Sequence, residues 1–157
     1  MAIRNIFKLG QDGEDVLGKK CRPVGEINDR MKQLLEDLID TLYESGGVGL
    51  AAPQVGVLRR MAVIDVGEGL IELIDPEIIG EYDSQTGTEG CLSYPDHWGI
   101  VTRPNKVVVR AKDRNGNVRE VCGEGLLARA LCHEIEHLDG HMFIEKVEKW
   151  IEVDDEE

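Results

Sequence analysis

Apolar residues recur at helical spacing in two separate parts of the chain. Over residues 28–45 they fall on one face at intervals of three and four positions, and Gly46 and Gly47 follow as a stop, which predicts an amphipathic helix. That face comprises Met31, Leu34, Leu35, Leu38, Ile39, Leu42 and Tyr43. A second helix is predicted over 125–138, with Gly140 placed just beyond it as a C-cap. Its apolar face comprises Leu127, Ala130, Leu131, Ile135 and Leu138.

The middle of the chain has a different residue pattern, with short runs of residues that favour β-strands separated by Gly and Pro. These runs predict strands at 61–66, 70–74, 78–82, 98–102 and 107–111. Asn115-Gly116 lies between 106–110 and 118–121, which predicts an antiparallel hairpin. A last helical pattern runs from Ile144 through Val147 and Trp150 to Ile151. Grouped strands flanked by helices indicate an α+β fold rather than an alternating parallel one.

Length and charge narrow the classes of protein that fit. The chain has 157 residues, and 31 acidic against 18 basic side chains give a net charge of −13. This length predicts a single domain over 1–157, with the acidic end 153–157 frayed and solvated. A pI near 4.7 argues against binding to DNA or to an anionic membrane. Without a long apolar run or a signal-like start, and with four scattered cysteines expected to be reduced, we expect a cytoplasmic protein.

The strongest chemical signal is the HExxH sequence at 133–137. Inside a helix, His133 and His137 lie one turn apart on the same face, so both imidazoles can bind one metal ion, with Glu134 beside it. A pair of surface histidines that fits a short pattern by chance is the alternative, and the helical context disfavours it.

Spacing discriminates between three sources of a third ligand. A metzincin needs a third histidine at position 143, where the residue is Phe143. A gluzincin draws a glutamate from a downstream helix, but only 20 residues follow His137 and their acidic residues resemble a solvated face. Upstream, Cys91 follows a Gly-rich stretch, and its thiolate is a better metal ligand than a remote surface carboxylate.

Three separated segments resemble, in the same order, the signature motifs of the peptide deformylase family. They are the sequences GVGLAAPQ at 47–54, EGCLS at 89–93 and HEIEHLDG at 133–140. The similarity extends over nearly the whole chain, including the spacing between the motifs and the long N-terminal helix. The resemblance implies antiparallel or mixed sheets packed around a central helix that carries HExxH.

This resemblance also implies a metal and a reaction. Cys91, His133 and His137 would bind one divalent ion, with Fe(II) expected and Ni, Co or Zn as substitutes. The reaction would be hydrolytic removal of the formyl group from formyl-methionyl peptides, on nascent chains in transient contact with the ribosome. Glu134 would act as general base and acid toward the water at the metal.

Further roles follow from the same resemblance. The side-chain amide of Gln54 and the backbone N–H of Leu92 would stabilise the oxyanion. Residues near the bound peptide would be Gly47, Val48, Gly49, Leu50, Ala130 and His133, with Glu89 near the rim of the methionine pocket. Gly47 and Gly49 would let an extended peptide approach the backbone closely.

Some residues depart from the family pattern or have no assigned role. Glu136 stands where the third motif more often has aspartate, so we expect activity to survive with altered metal affinity. Cys21, Cys122 and Cys132 are expected to be packing residues. His97, Trp98 and His141 have no role that the sequence defines, although the first two could border the peptide groove.

Three other functions compete with deformylation. A metallopeptidase would cleave ordinary peptide bonds and would not require Cys91. A non-catalytic module that only binds formylated N-termini would be expected to lack Glu134 or Gln54, and both are present. A purely structural metal site needs four protein ligands, and the sequence indicates three.

Overall fold

The computed structural model describes residues 2–152. The acidic end, 153–157, lies outside the described residues, so its predicted fraying remains a prediction. Among the helices described, none combines the length and the apolar character that a membrane span requires.

Eight strands in the described chain form two antiparallel sheets. The strands are β1 (Gly49–Ala51), β2 (Met61–Ile64), β3 (Ile71–Tyr82), β4 (Gln85–Cys91), β5 (Tyr94–Arg103), β6 (Lys106–Lys112), β7 (Val118–Glu124) and β8 (Lys149–Ile151). A five-stranded sheet has the order β1-β2-β3-β6-β7, and a three-stranded sheet has the order β4-β5-β8. The α+β class with antiparallel sheets is therefore confirmed.

Helix α1 (Asp29–Ser45) and helix α2 (Leu126–Leu138) pack on opposite faces of the five-stranded sheet. Alternation along β2 separates the two cores: Met61 and Val63 belong to the cluster with α1, whereas Ala62 and Ile64 belong to the cluster with α2. The Asn28 side chain caps α1 by accepting a hydrogen bond from Met31 N–H at 3.0 Å. These contacts fix α2, which carries the HExxH sequence, against the sheet.

The predicted hairpin is confirmed, since β6 and β7 pair in antiparallel register from Lys106–Glu124 to Lys112–Val118. The runs 70–74 and 78–82 are one strand, β3, rather than two. It carries irregularities near Asp75, whose φ of +51° is a left-handed conformation, and near Ile78. Asp75 holds this bend in place by accepting hydrogen bonds from the N–H groups of Val24 and Gly25.

The helical pattern predicted from Ile144 to Ile151 is wrong. A short 3-10 helix spans Phe143–Lys146, and the chain then continues as the strand β8. Ladder pairing with β5 decides the outcome, because Trp150 lies opposite Gly99, and Gly99 leaves room for the Val147 side chain. A Cβ at Gly99 would stand 2.6 Å from a Val147 methyl carbon. Helical spacing is a weak signal over so short a segment.

Candidate active site

The three sequence motifs meet at one cavity of about 490 Å³. Its walls come from the segment before and after β1, from the end of β4 with the following turn, and from α2. The lining residues that the sequence singled out are Gly47, Val48, Gly49, Gln54, Glu89, Cys91, Leu92, Ala130, His133 and Glu134. Residues distant in sequence therefore surround one space large enough for a small ligand.

Cys91, His133 and His137 place one ligand atom each within 4.8 Å of one another. The Cys91 Sγ lies 3.3 Å from His137 Nε2. Ligands held about 2.0–2.3 Å from a tetrahedral ion stand roughly 3.3–3.8 Å apart, so a small adjustment completes the geometry. In residues 2–152 the grouping comprises these three side chains, which fits a metal centre that keeps one position for water or substrate.

His133 is held by a buried ionic network. Its Nδ1 donates to Glu89 Oε2 at 2.7 Å, which leaves Nε2 for a metal. Arg103 and Arg129 also donate to Glu89, at 2.6 and 3.0 Å. Glu89, which was expected near the rim of the pocket, lines the cavity but is only 5% exposed, and its carboxylate holds the ring of His133.

The electrostatics of the site favour a cation. Burial disfavours the charged carboxylate of Glu89, but hydrogen bonds from His133 and Arg103 outweigh it and lower the pKa of Glu89 to about 2. Burial also opposes a charge on His133, yet the anionic surroundings of Cys91, Glu89 and Glu134 raise the pKa of His133 well above its ordinary value. Burial lowers the pKa of His137, which keeps its imidazole in the neutral form that binds metals.

Glu134 lies beside the ligands with its carboxylate buried against β1. Gly49 makes room for it, because a Cβ there would stand 2.5 Å from Glu134 Oε2. Burial raises the pKa of Glu134 to about 7. Its Oε1 is buried without a hydrogen-bond partner among residues 2–152. A carboxylate with an open oxygen at a cavity wall is suited to hold and pass a proton.

The orientation of the Gln54 amide is set by its neighbours. Gln54 Oε1 accepts a hydrogen bond from Ala51 N–H at 2.9 Å. The amide NH₂ must therefore be the end that faces Ser93 Oγ, at 3.1 Å, and Cys91 Sγ, at 3.6 Å. This places two N–H donors next to the candidate metal ligands.

The N-terminal segment joins the first two motifs, a feature that sequence reasoning missed. Phe7 N–H donates to the Gln54 carbonyl at 2.7 Å, and Leu9 N–H donates to the Ser93 carbonyl at 2.9 Å. The Phe7 ring packs over Gly56, where a Cβ would meet it at 2.8 Å. Backbone hydrogen bonds of this kind carry no signature in the amino-acid pattern.

The residues that were expected to form the peptide pocket line the cavity, with one exception. Gly47, Val48, Gly49 and Ala130 line the cavity. Leu50 is wrong as a pocket residue, because it is fully buried in the core that packs α1 against the sheet and does not line the cavity. A β-strand sends successive side chains to opposite faces, so Leu50 points away from the side on which Gly49 meets Glu134.

Glu136 takes part in the ionic network. It accepts from Arg103 Nη1 at 2.7 Å and from Lys146 Nζ at 2.9 Å, which ties α2 to the 3-10 helix before β8. The roles of Arg103 and Arg129 were not predicted from the sequence. Their carboxylate partner, Glu89, comes from a distant part of the chain, so only tertiary structure shows that these arginines are buried and paired.

The remaining cysteines and histidines lie outside the candidate metal centre. Cys21 and Cys132 are buried in the core, as expected, and burial raises the pKa of each thiol to about 11. Cys122 is exposed on β7, so its expected packing role is wrong. His97 and Trp98 line the cavity, whereas His141 is exposed and its ring pairs with Glu145.

Known proteins resemble this chain along almost its full length. The family model for polypeptide deformylase matches residues 3–152. The peptide deformylase of Caldanaerobacter subterraneus subsp. tengcongensis is 58% identical over 152 residues, which cover 97% of this chain and 94% of that protein.

Solved structures agree with the sequence relatives. The crystal structure of the peptide deformylase from Thermotoga maritima has a TM-score of 0.89 at 35% identity and covers 94% of this chain and 99% of that one. The enzyme from Synechococcus elongatus, solved in complex with actinonin, has a TM-score of 0.88 at 37% identity and covers 93% and 79%. Agreement between sequence and structure over the whole described chain leaves one assignment: the chain belongs to the polypeptide deformylase family of hydrolases.

Proposed function

We propose that this member of the family removes the formyl group from formyl-methionyl peptides at the cavity where its three motifs meet. The observation that carries the proposal is the convergence of Cys91, His133 and His137 with Glu134 beside them in one cavity. The reaction is hydrolysis of a formamide, which releases formate and a free N-terminal amine.

Cys91, His133 and His137 are proposed to hold one divalent ion. One thiolate and two imidazoles suit a late first-row cation, and we expect Fe(II), with Ni, Co or Zn as substitutes. A cation held there would supply a Lewis acid that polarises the formyl carbonyl and makes a water more acidic. Glu89 fixes the ring of His133 through Nδ1, so that His133 can bind through Nε2.

Glu134 is proposed to move the proton. It accepts a proton from the attacking water and passes it to the nitrogen that leaves with the peptide. Support comes from its place on α2, next to His133 and facing β1, where Gly49 leaves space for the carboxylate. The absence of a side chain at Gly49 also lets the substrate backbone approach Glu134.

Gln54 and Leu92 are proposed to stabilise the oxyanion that forms as the formyl carbon becomes tetrahedral. The Gln54 amide already points its N–H groups toward Cys91, because Ala51 holds the opposite end. Leu92 follows Cys91 directly, and its side chain packs over Gly47, which links the two motifs across the cavity. Its backbone N–H is the second proposed donor.

The methionine side chain is proposed to bind among Val48, Ala130 and His133, which line the cavity. The peptide would lie extended beside Gly47 and Gly49, in the manner of an added strand. The proposed substrates are nascent chains that leave the ribosome in the cytoplasm. The actinonin that the Synechococcus elongatus enzyme binds is proposed to occupy the same cavity here.

The test is formate release from a formyl-Met tripeptide by anaerobically purified protein, with metal content measured on the same sample. The acetylated peptide serves as the control substrate. We expect formate in proportion to bound metal and none from the acetylated peptide. Bound metal without formate, with iron, nickel or cobalt, would favour a binding module; cleavage of unformylated peptides would favour a metallopeptidase.

The ligand assignment has a separate test with a matched control. Cys91→Ser should weaken metal retention by more than about 100-fold, because removal of groups that only support a ligand already costs about 10–100-fold. Cys122→Ser changes an exposed thiol on β7 and should leave metal retention unchanged. Equal metal content in the two variants after dialysis would exclude Cys91 as a ligand.

A further inference from the structure

The N-terminal segment 4–9 is anchored on α1 and takes no part in the proposed chemistry. Arg4 N–H donates to Thr41 Oγ1 at 2.9 Å, and the Arg4 guanidinium pairs with Asp37 at 2.9 Å. Asp37 and Thr41 are both buried. A charge-assisted pair and a backbone hydrogen bond therefore hold the start of this segment against α1. Residues 4–9 are called the N-terminal strap below.

The middle of the strap is fixed to the 3-10 helix Ala52–Val55, which carries Gln54. Phe7 N–H donates to the Gln54 carbonyl at 2.7 Å. The Phe7 ring packs between Gly56, which ends this helix, and Gly13. A Cβ at Gly56 would stand 2.8 Å from a ring carbon, and a Cβ at Gly13 would stand 2.5 Å from one. The backbone that carries Gln54 is thus held by a hydrogen bond and by ring packing.

The end of the strap is fixed to the turn that follows Cys91. Leu9 N–H donates to the Ser93 carbonyl at 2.9 Å. Ser93 is fully buried, and its Oγ accepts a hydrogen bond from the Gln54 amide at 3.1 Å. Ser93 directly follows Leu92, whose N–H is the second proposed oxyanion donor. The strap therefore bonds to both chain segments that supply the proposed oxyanion donors.

Two donors stabilise one oxyanion only when their spacing matches it, and a misplacement of about 1 Å can lower a rate about 100-fold. Gln54 and Leu92 are far apart in sequence, so their own segments do not fix this spacing. We propose that the N-terminal strap sets the spacing between the Gln54 amide and the Leu92 N–H, with Phe7 as a positioning residue. Within the described chain, no strap residue lines the cavity, so the strap acts through the two donors. This inference rests on the proposed function, because it assigns a support to the oxyanion donors of that reaction.

The first test removes the Phe7 ring. Phe7→Ala should lower kcat for a formyl-Met tripeptide by about 10–100-fold with KM nearly unchanged, because misplaced donors weaken the transition state more than the bound substrate. Phe7→Leu keeps part of the packing and should lose less. Leu38→Ala is the control, because it also removes a buried apolar side chain but should leave kcat per folded molecule unchanged. A wild-type kcat in folded Phe7→Ala would overturn the inference.

A double-mutant cycle separates positioning from a general loss of structure. Gln54→Ala should lower kcat by about 100–1000-fold, the usual loss for one oxyanion donor. Since Phe7 acts largely through Gln54, adding Phe7→Ala to Gln54→Ala should lower kcat by less than about threefold further. Losses that multiply in full would overturn the inference. Failure of the wild type to release formate would instead count against the proposed function.

Nuclear magnetic resonance reports on the Gln54 amide without turnover. The chain has four glutamines, so nitrogen-15 glutamine labelling gives four side-chain NH₂ pairs, and Gln54→Ala identifies the pair that belongs to Gln54. The spectra are recorded with Zn(II), which is diamagnetic, on the wild type, Phe7→Leu and Leu38→Ala. The Gln54 pair should shift or broaden in Phe7→Leu and stay in place in Leu38→Ala, with the pair of Gln85 as the reference.

Phe7→Leu retains an apolar side chain, so both the cycle and the spectra use it if Phe7→Ala does not fold. An unchanged Gln54 pair in Phe7→Leu, or an equal change in Leu38→Ala, would overturn the inference whether or not formate is released.

Discussion

Helix α1 buries a stripe of side chains, whereas α2 is buried on almost every side. Seven of the 17 residues of α1 are buried, and five of these are apolar. In α2 ten of 13 residues are buried, and they include Arg129, His133, Glu134 and His137. The two helices therefore have similar apolar spacing and different environments.

The difference shows what it costs to bury polar side chains on a helix. Burying a polar group is unfavourable unless it is hydrogen-bonded. Arg129 and His133 meet this condition through Glu89. Glu134 Oε1 and His137 Nδ1 do not, since neither atom has a partner among residues 2–152. We infer that α1 contributes mainly to the stability of the fold. In α2, the burial of these polar groups lowers the stability of the fold and places them beside the cavity.

The largest expected effect is on catalysis from α2. Glu134→Gln should retain metal and lower kcat by about 10²–10⁴-fold, the usual worth of a general acid–base group. The free energy of unfolding should stay equal or rise, because the substitution removes a carboxylate that burial disfavours. Formate release, metal content and urea denaturation measure these three quantities.

Glu44→Gln makes the same change at an exposed position of α1 and should alter none of them. Wild-type turnover in Glu134→Gln would remove Glu134 as the base.

The next effect distinguishes the roles of two carboxylates that are buried to a similar extent, Glu89 beside α2 and Asp37 on α1. Glu89→Gln should weaken metal binding by about 10–100-fold and lower the free energy of unfolding by about 3–5 kcal/mol, because it leaves buried guanidinium groups without their counter-charge. Asp37→Asn removes the partner of Arg4 and should lower stability with no effect on metal affinity. Chelator competition and denaturation measure the two quantities, and equal metal affinities in the two variants would contradict the role of Glu89.

A core substitution in α1 should show the opposite pattern to Glu134→Gln. Leu38 is fully buried, so Leu38→Ala should lower the free energy of unfolding by about 2–5 kcal/mol and leave kcat per folded molecule unchanged. Lys32→Ala, on the exposed face of the same helix, should stay within about 0.5 kcal/mol of the wild type. A loss of kcat in folded Leu38→Ala would show that α1 also positions the catalytic groups.

The smallest effect concerns Glu136, in the third motif. Glu136→Asp shortens the side chain that reaches both Arg103 and Lys146. We expect activity to survive, metal affinity to change by less than about tenfold, and stability to fall by about 1 kcal/mol or less. Lys146→Ala removes the other partner of the ion pair between Glu136 and Lys146. A large loss of activity in either variant would contradict this prediction.

Local signals predicted much of the fold. Helical spacing with a stop at Gly46 defined α1, and Asn115-Gly116 defined the β6–β7 hairpin. The strand β8 and the continuity of β3 were not predicted, because ladder pairing with distant strands decides both. β1 and β4 were also missed, since each acquires its strand character from a partner elsewhere in the chain.

The candidate site also has features that local spacing predicts and features that only tertiary structure decides. HExxH predicts two ligands and a base because three residues on one helical turn need no other part of the chain. The support of His133 by Glu89, Arg103 and Arg129 depends on tertiary contacts, and so does the orientation of Gln54. Leu50 was assigned to the wrong face because a motif does not state which way a strand turns its side chains.

The sequence by itself determined the α+β class, the family, the helix with His133 and His137, and Cys91 as a candidate ligand. Each of these depends on residue types and short spacings, which the chain carries before it folds. Tertiary structure alone decided the ionic network behind His133 and the burial of Glu134. These features depend on which distant groups share a low-dielectric space, and that is settled only when the sheet and α2 pack together.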